Sequence, residues 1–360
     1  MVEWLAGNRI KGTSTERTAG TPEVPEVPAI SGGWKEIGRA SVTSGDTINV
    51  TSLADKKYLM VLGCGIGSGN VALISRFNSD TGNNYNNRYN SNGGNDVTSG
   101  ANDRLFTNGA GSSPQEFSVF HVANKSNKEK LLVGHNVNNA STGANNLPQR
   151  REYANKWANT SSAISSLNVF NSDSGDFASG SEVVVLGYDP DDTHTTNFWE
   201  QLANVTTSSS ADFFSSGTIT AKKYLWVQAY VKQASPYSTG LQFNSDEANN
   251  YAVRFSGNGN SDTTTLTSTW KCAMNYSSLA GGGYFMNAFI INNASNEKLV
   301  IAQTSENSST GAGTAPNRLE SAGKWANTSD QITSIQIRKE SGAGGGQIQS
   351  GSVIKVWGSN

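Results

Sequence analysis

The sequence predicts an all-β protein: two tandem jelly-roll-like β-sandwich domains from an internal duplication, with an extended N-terminal arm. Three observations predict it: a long internal repeat, short runs of alternating hydrophobicity, and a composition that favours turns over helices. Lys56-Lys57-Tyr58-Leu59 returns 166 residues later as Lys222-Lys223-Tyr224-Leu225, and Phe77-Asn78-Ser79-Asp80 returns as Phe243-Asn244-Ser245-Asp246. Asn83-Asn84-Tyr85 with Arg88 returns as Asn249-Asn250-Tyr251 with Arg254. Glu129-Lys130-Leu131, Ser141-Thr142-Gly143-Ala144 and the KWANTS run at 156–161 recur 168 residues on. Pro148, Arg150 and Glu152 likewise match Pro316, Arg318 and Glu320. The matches are collinear, so chance does not account for them.

A chain of 360 residues suits two domains and an extension. Only 35% of residues are hydrophobic and 16% charged, while 40 Asn, 77 Ser plus Thr and 38 Gly fill the difference. Disordered chains combine low hydrophobicity with high charge, and this one lacks the charge. Asn, Gly, Ser and Thr favour turns, so many short strands joined by polar loops are expected. A net charge of −2 offers little attraction for phosphates, and nucleic acid is not an expected partner. No secretory signal is read at the N-terminus and no run is long and apolar enough to span a membrane, so no membrane partner is expected.

Taken in order, residues 1–32 form the arm. Trp4, Leu5 and Ile10 are candidate attachment anchors, and Pro22, Pro25 and Pro28 make a stiff spacer behind them. The first copy, 33–189, carries about eight expected strands, near Trp34–Val42, Asp46–Val50, Tyr58–Cys64, Ala72–Phe77, Glu116–Val122, Lys130–His135, Ser166–Phe170 and Glu182–Tyr188. Tyr58–Leu62 and Tyr224–Val231 are almost continuously apolar, as expected for central strands covered on both faces. A short polar linker, 190–196, precedes the second copy, 197–360, and its brevity predicts domains held in contact. No window sustains helical periodicity for three turns.

Two repeated blocks are dense in polar groups. In FNSD…NNY..R, Asp80, Arg88, Asp246 and Arg254 fit either a ligand loop for calcium or sugar or a turn closed by Asx hydrogen bonds. The second reading is preferred, because one Asp per block without a DxDxDG pattern supplies few oxygen ligands. In STGA…P.R.E…KWANTS, Trp157 and Trp325 read as framework residues beside Arg150–Glu152 and Arg318–Glu320 pairs, with sugar stacking the rival. His121, His135 and His194 show no metal-ligand spacing, and Phe289 and Gln303 replace the first two in the second copy. GCGIGSG at 63–69 is expected in a hairpin, not a nucleotide loop. Cys64 and Cys272 fall at non-equivalent places and are expected to be unpaired thiols. No catalytic constellation, cofactor or metal is expected, since glycan hydrolysis requires two convergent carboxylates and none is evident.

The run Trp34-Lys35-Glu36-Ile37-Gly38-Arg39, the FNSD…NNY..R block, EKL, STGA…P.R.E and KWANTS resemble tandem-repeat structural proteins of marine tailed viruses of bacteria or archaea. The resemblance covers nearly the whole chain. It implies a component of the virion exterior, a decoration, fibre or capsid-associated protein. Its implied partners are itself, as a trimer or higher oligomer, and other virion proteins. The alternative is a carbohydrate-binding or receptor-binding module of a viral fibre, or an extracellular lectin-like protein with glycans as partners.

Overall fold

The computed structural model describes residues 33–111, 113–194, 196–233, 237–267, 282–307, 311–340 and 346–360, with short strands also at 3–5, 9–11, 30–31 and 270–271. At the N-terminus, β1 (Glu3–Leu5) and β2 (Arg9–Lys11) pair as an antiparallel hairpin, with Trp4 opposite Ile10 and Leu5 opposite Arg9. The proline spacer lies outside the described residues, and β3 (Ile30–Ser31) follows it. The first sandwich then contains β4 (Lys35–Val42), β5 (Thr47–Val50), β6 (Tyr58–Val71), β7 (Ile74–Phe77), β8 (Tyr85–Ser91) and β9 (Val97–Asn102). It continues with β10 (Ser113–Ala123), β11 (Lys130–Asn138), β12 (Gln149–Trp157), β13 (Leu167–Phe170) and β14 (Ser181–Tyr188). In the linker, β15 (Thr193–His194) pairs with β3.

The second sandwich repeats the plan with β16 (Glu200–Thr206), β17 (Phe213–Thr218), β18 (Tyr224–Lys232), β19 (Thr239–Phe243), β20 (Tyr251–Gly257) and β21 (Thr263–Thr267). After β22 (Trp270–Lys271) come β23 (Gly283–Ile291), β24 (Lys298–Glu306), β25 (Asn317–Trp325), β26 (Ser334–Lys339) and β27 (Val353–Ser359). The large sheets run β4-β14-β6-β10-β11-β12-β8-β9 and β16-β27-β18-β23-β24-β25-β20-β21, equivalent strand for equivalent strand. The small sheets run β5-β13-β7 and β17-β26-β19-β22. Successive strands β4 to β7 alternate between large and small sheets, and β13 and β14 return the same way. That wrapping is jelly-roll-like.

Period-two patterning selects each inner face. On β6, Leu59 and Val61 enter the first core with Val183 and Val185 of β14. On β18, Leu225, Val227, Ala229 and Val231 enter the second. Fully burying each such aliphatic side chain stabilises the fold by about 1.5–3 kcal/mol.

Two expectations need correction. Eleven strands, not about eight, build the first sandwich, because β8, β9 and β12 are strands where polar loops were expected. On β8 the inward amide is satisfied internally: Asn87 donates to Arg104 O at 3.1 Å and accepts from Phe106 N at 2.9 Å. GCGIGSG is no hairpin but the middle of the long strand β6. Gly65 makes room there for the Leu73 side chain, which a Cβ would meet at 3.1 Å.

Candidate functional site at the seam between the sandwiches

The repeated blocks converge on one framework unit in each copy. The indole N–H of Trp157 donates to Asp80 at 2.7 Å, and that of Trp325 donates to Asp246 at 2.7 Å. Tyr85 stacks on Trp157 and Tyr251 on Trp325, both with ring centroids 6.3 Å apart. From EKL, Lys130 and Lys298 sit over the same indoles at 5.3 and 5.7 Å. Trp157 and Trp325 are each 1% exposed, so neither offers a face to a sugar. Asp80 also accepts from Gly82 N and Asn84 in an Asx-type turn. Desolvation pushes its carboxyl up, but the Trp157, Asn84 and Gly82 donors together hold it below the ordinary value. Arg88 is far from this unit in role, pairing with Asp96 at 3.2 Å on the surface. Arg254 reaches Pro148 O at 2.9 Å and lies 3.7 Å from Asp262.

A third apolar cluster lies outside both sandwich cores. Met60, Leu62, Cys64, Phe117, Val119 and Val184 pack with Tyr224, Phe289, Ile291, Leu299, Ile301 and Trp199. These are the outer faces of the two large sheets, pressed together into a four-layer molecule. β11 contacts β24 and β12 contacts β25, so equivalent strands face each other. His135 and Gln303, equivalent in the two copies, hydrogen-bond at 3.1 Å near the resulting pseudo-twofold axis. The protein around His135 pushes its pKa down to about 4 by desolvation, which keeps the imidazole neutral at pH 7.

Polar locks flank the apolar seam. Arg150 grips Asp262 with Nε and Nη2, at 3.0 and 2.7 Å, while Nη1 pairs with Glu152. Gly93, at φ +69°, leaves the space Asp262 occupies, since a Cβ there would meet its carboxylate at 2.3 Å. Burial, with Glu152 opposite, pushes the Glu320 carboxyl up, and Arg318 holds Glu320 at 2.8 Å. At the other flank Glu182 accepts from Tyr224 Oη at 2.8 Å and pairs with Lys223 and Arg39 at 3.1 and 3.0 Å. The STGA loop of the first copy docks on the second: Lys324 Nζ donates to Asn139 O at 3.1 Å and Ser141 O at 2.6 Å. Glu297 accepts from Asn139 Nδ2 at 3.0 Å and Gly143 N at 2.5 Å.

The seam closes on one side only. On the other, Tyr58, Leu131 and Val133 of the first copy remain 46%, 57% and 60% exposed, and Tyr230 and Phe285 of the second 50% and 46%. A cleft of about 470 Å³ opens between the two copies, lined by Trp34, Met60 and His121 of the first and Trp226, Gln228, Phe285, Asn287 and Gln303 of the second. Asn287 Oδ1 accepts from Trp226 Nε1 at 2.7 Å and Gln228 Nε2 at 3.2 Å, which braces that wall. No carboxylate, ammonium or guanidinium lines this cleft, so its chemistry suits neutral surfaces.

Among the described residues no cluster of His, Cys, Asp or Glu could hold a metal, and no helix is long and apolar enough to cross a membrane. Cys64 is a buried free thiol in the seam, pushed up to about 11 by burial; Cys272 lies outside the described residues. So do the side chains of Trp4, Leu5 and Ile10. Reading the blocks as separate motifs missed the seam, although the outward positions of β6, Met60, Leu62 and Cys64, were apolar and carried its signal.

No family model matches the chain, and none of the curated proteins does. Among solved structures it is similar to mouse laminin alpha1 chain, domains LG4-5, at 8% identity, covering 91% of each chain with a TM-score of 0.19. It is also similar to human GIVD cytosolic phospholipase A2 at 8% identity, covering 76% of this chain and 33% of that one with a TM-score of 0.13. Similarity this low carries no argument.

Proposed function

We propose that this protein is a non-catalytic structural component of a virus exterior, attached to a neighbouring subunit or another virion protein through its N-terminal segment. The seam is the observation that supports it most. Two sandwiches joined by a shared apolar cluster and buried ion pairs make a stiff block, suited to bearing load and unsuited to hinged catalysis. Ahead of that block, the chain is tied at β3 to the linker, and the backbone of Glu3–Leu5 pairs with that of Arg9–Lys11, a segment whose sequence carries Trp4, Leu5 and Ile10. Three such anchors, at about 1.5–3 kcal/mol each when buried, suffice for attachment. Deleting residues 1–29 keeps β3 and should leave the melting temperature nearly unchanged while abolishing attachment in particle co-sedimentation. Retained attachment, or a chain that no longer folds, would contradict it.

A second reading, a carbohydrate-binding protein, draws on the neutral aromatic and amide lining of the cleft rather than on Trp157 or Trp325. Neutral oligosaccharides should then quench or shift tryptophan emission, and Asn287→Ala should weaken that response. A flat titration would remove this reading.

A further inference from the structure

We propose that the inner end of the cleft, at the pseudo-twofold axis, is a subsite for one pyranose unit at the end of a neutral glycan. The proposal rests on the carbohydrate reading above and deepens it by naming the ring that enters and the groups that meet it.

The cavity there measures about 290 Å³ and is lined by β10 and β11 of the first copy and β23 and β24 of the second. It shares His121, Asn287, Phe289 and Gln303 with the larger cleft, so the two are continuous. Its volume lies just below the usual range for drug-sized ligands, which suits one ring rather than a chain. Val119 and Ile301, 3% and 6% exposed, belong to the apolar seam and close that side of the cavity. A glycan entering from the cleft therefore presents an end to it.

The lining consists of four pairs of equivalent positions, one member from each copy. Three pairs change character: Val119 becomes Asn287, His121 becomes Phe289 and His135 becomes Gln303, while the fourth stays aliphatic. The framework units of Trp157 and Trp325, by contrast, keep the same residues in both copies. A cavity symmetric about the axis would hold a ring in two equivalent ways. Here imidazoles on one wall oppose amides on the other, which fixes one orientation.

Both walls keep hydrogen-bonding capacity. Asn287 Oδ1 takes Trp226 Nε1 and Gln228 Nε2, and among the described residues nothing accepts from its Nδ2. Gln303 Nε2 meets His135 Nε2, which leaves Gln303 Oε1 as an acceptor. His121 has no hydrogen-bond partner among the described residues; its ring meets that of Trp34 with centroids 5.9 Å apart. Desolvation pushes both imidazoles down, His135 to about 4, so each is neutral at pH 7 with one donor and one acceptor nitrogen. A pyranose answers this mixture, because its hydroxyls both donate and accept while its C–H faces suit Val133, Ile301 and Phe289. No carboxylate, ammonium or guanidinium lines the cavity, which disfavours acidic sugars.

Titration of the full-length chain with the methyl glycosides of glucose, galactose, mannose and N-acetylglucosamine, and with the corresponding linear tetrasaccharides, tests this. Tryptophan emission reports binding, and the histidine ring resonances in proton NMR report where. The chain has three histidines, and a bound sugar should shift the rings of His121 and His135 but not that of His194. His121→Phe, the residue the second copy uses there, and Gln303→Leu should each weaken binding roughly tenfold or more. Val133→Trp, at a position 60% exposed, should do the same by filling the cavity, and unchanged melting temperatures show that the variants fold. Glucuronic acid and α-cyclodextrin, the one charged and the other without a chain end, should leave both rings in place. Sugars that change tryptophan emission without moving His121 and His135, or that bind all three variants normally, would overturn this proposal and spare the carbohydrate reading. A flat titration with every sugar would remove both.

Discussion

Individual side chains do two jobs here, and the indole N–H of Trp157 shows the first. It gives the partly exposed Asp80 carboxylate a third donor beside Gly82 N and Asn84. Trp157→Phe keeps the ring but removes that donor, and should cost about 1–3 kcal/mol in urea unfolding at pH 7. The gap between variant and wild type should shrink in acid, once Asp80 is protonated in both. His135 shows the second job, neutral contact across the seam. Unfolded, it takes a proton as pH falls through about 6.5, whereas the folded chain takes it only near 4. The unfolded state thus binds more protons in that window, so stability falls on acidification, by an amount on the order of 2 kcal/mol. Glu320 and Arg150 face the ring with opposing effects. His135→Gln, the residue the second copy uses, should flatten this part of the pH profile, and an unchanged slope between pH 6.5 and 4 would refute the assignment.

Strands β8, β9 and β12 show how an element becomes a strand without a hydrophobic pattern. NNYNNRYNS places Tyr85 and Asn87 inward and satisfies the amide with backbone from residues 104–106. Asn87→Ala leaves Phe106 N without its acceptor, and should cost about 1–3 kcal/mol while raising amide exchange along β8 and β9. Gly134 on β11 is the converse case, an inward position where Tyr153 and Phe120 take all the space. A Cβ there would meet Phe120 Cβ at 2.5 Å. Gly134→Ala should destabilise by about 1–3 kcal/mol through overpacking, measured by thermal melting.

At the scale of the molecule, the shared cluster couples two sandwiches that each have a core of their own. Wild-type unfolding should therefore appear as one calorimetric transition. Arg150→Ala leaves the carboxylate of Asp262, itself 2% exposed, with only the longer Arg254 contact at 3.7 Å, and should cost about 3 kcal/mol. The same variant should split the transition in two, as each sandwich melts around its own core. A single sharp transition of unchanged midpoint would show that the ion pair does not hold the seam.

Duplication, all-β architecture and the inward residues of the apolar strands were legible in the sequence, because repeats and period-two alternation are local properties of the chain. The near-continuous run Tyr58–Leu62 even announced that both faces of β6 would be covered. What covered the second face was decided by tertiary structure alone. Leu131 and Leu299 stand in identical EKL blocks, yet one is 57% exposed and the other 0%. Identical local sequence cannot distinguish them; only the docking of one sheet on the other, closing one half of a pseudo-symmetric seam, makes them different. The polar strands escaped notice for a related reason. An Asn reads as a turn former until distant backbone arrives to satisfy its amide, and that backbone is supplied by the fold.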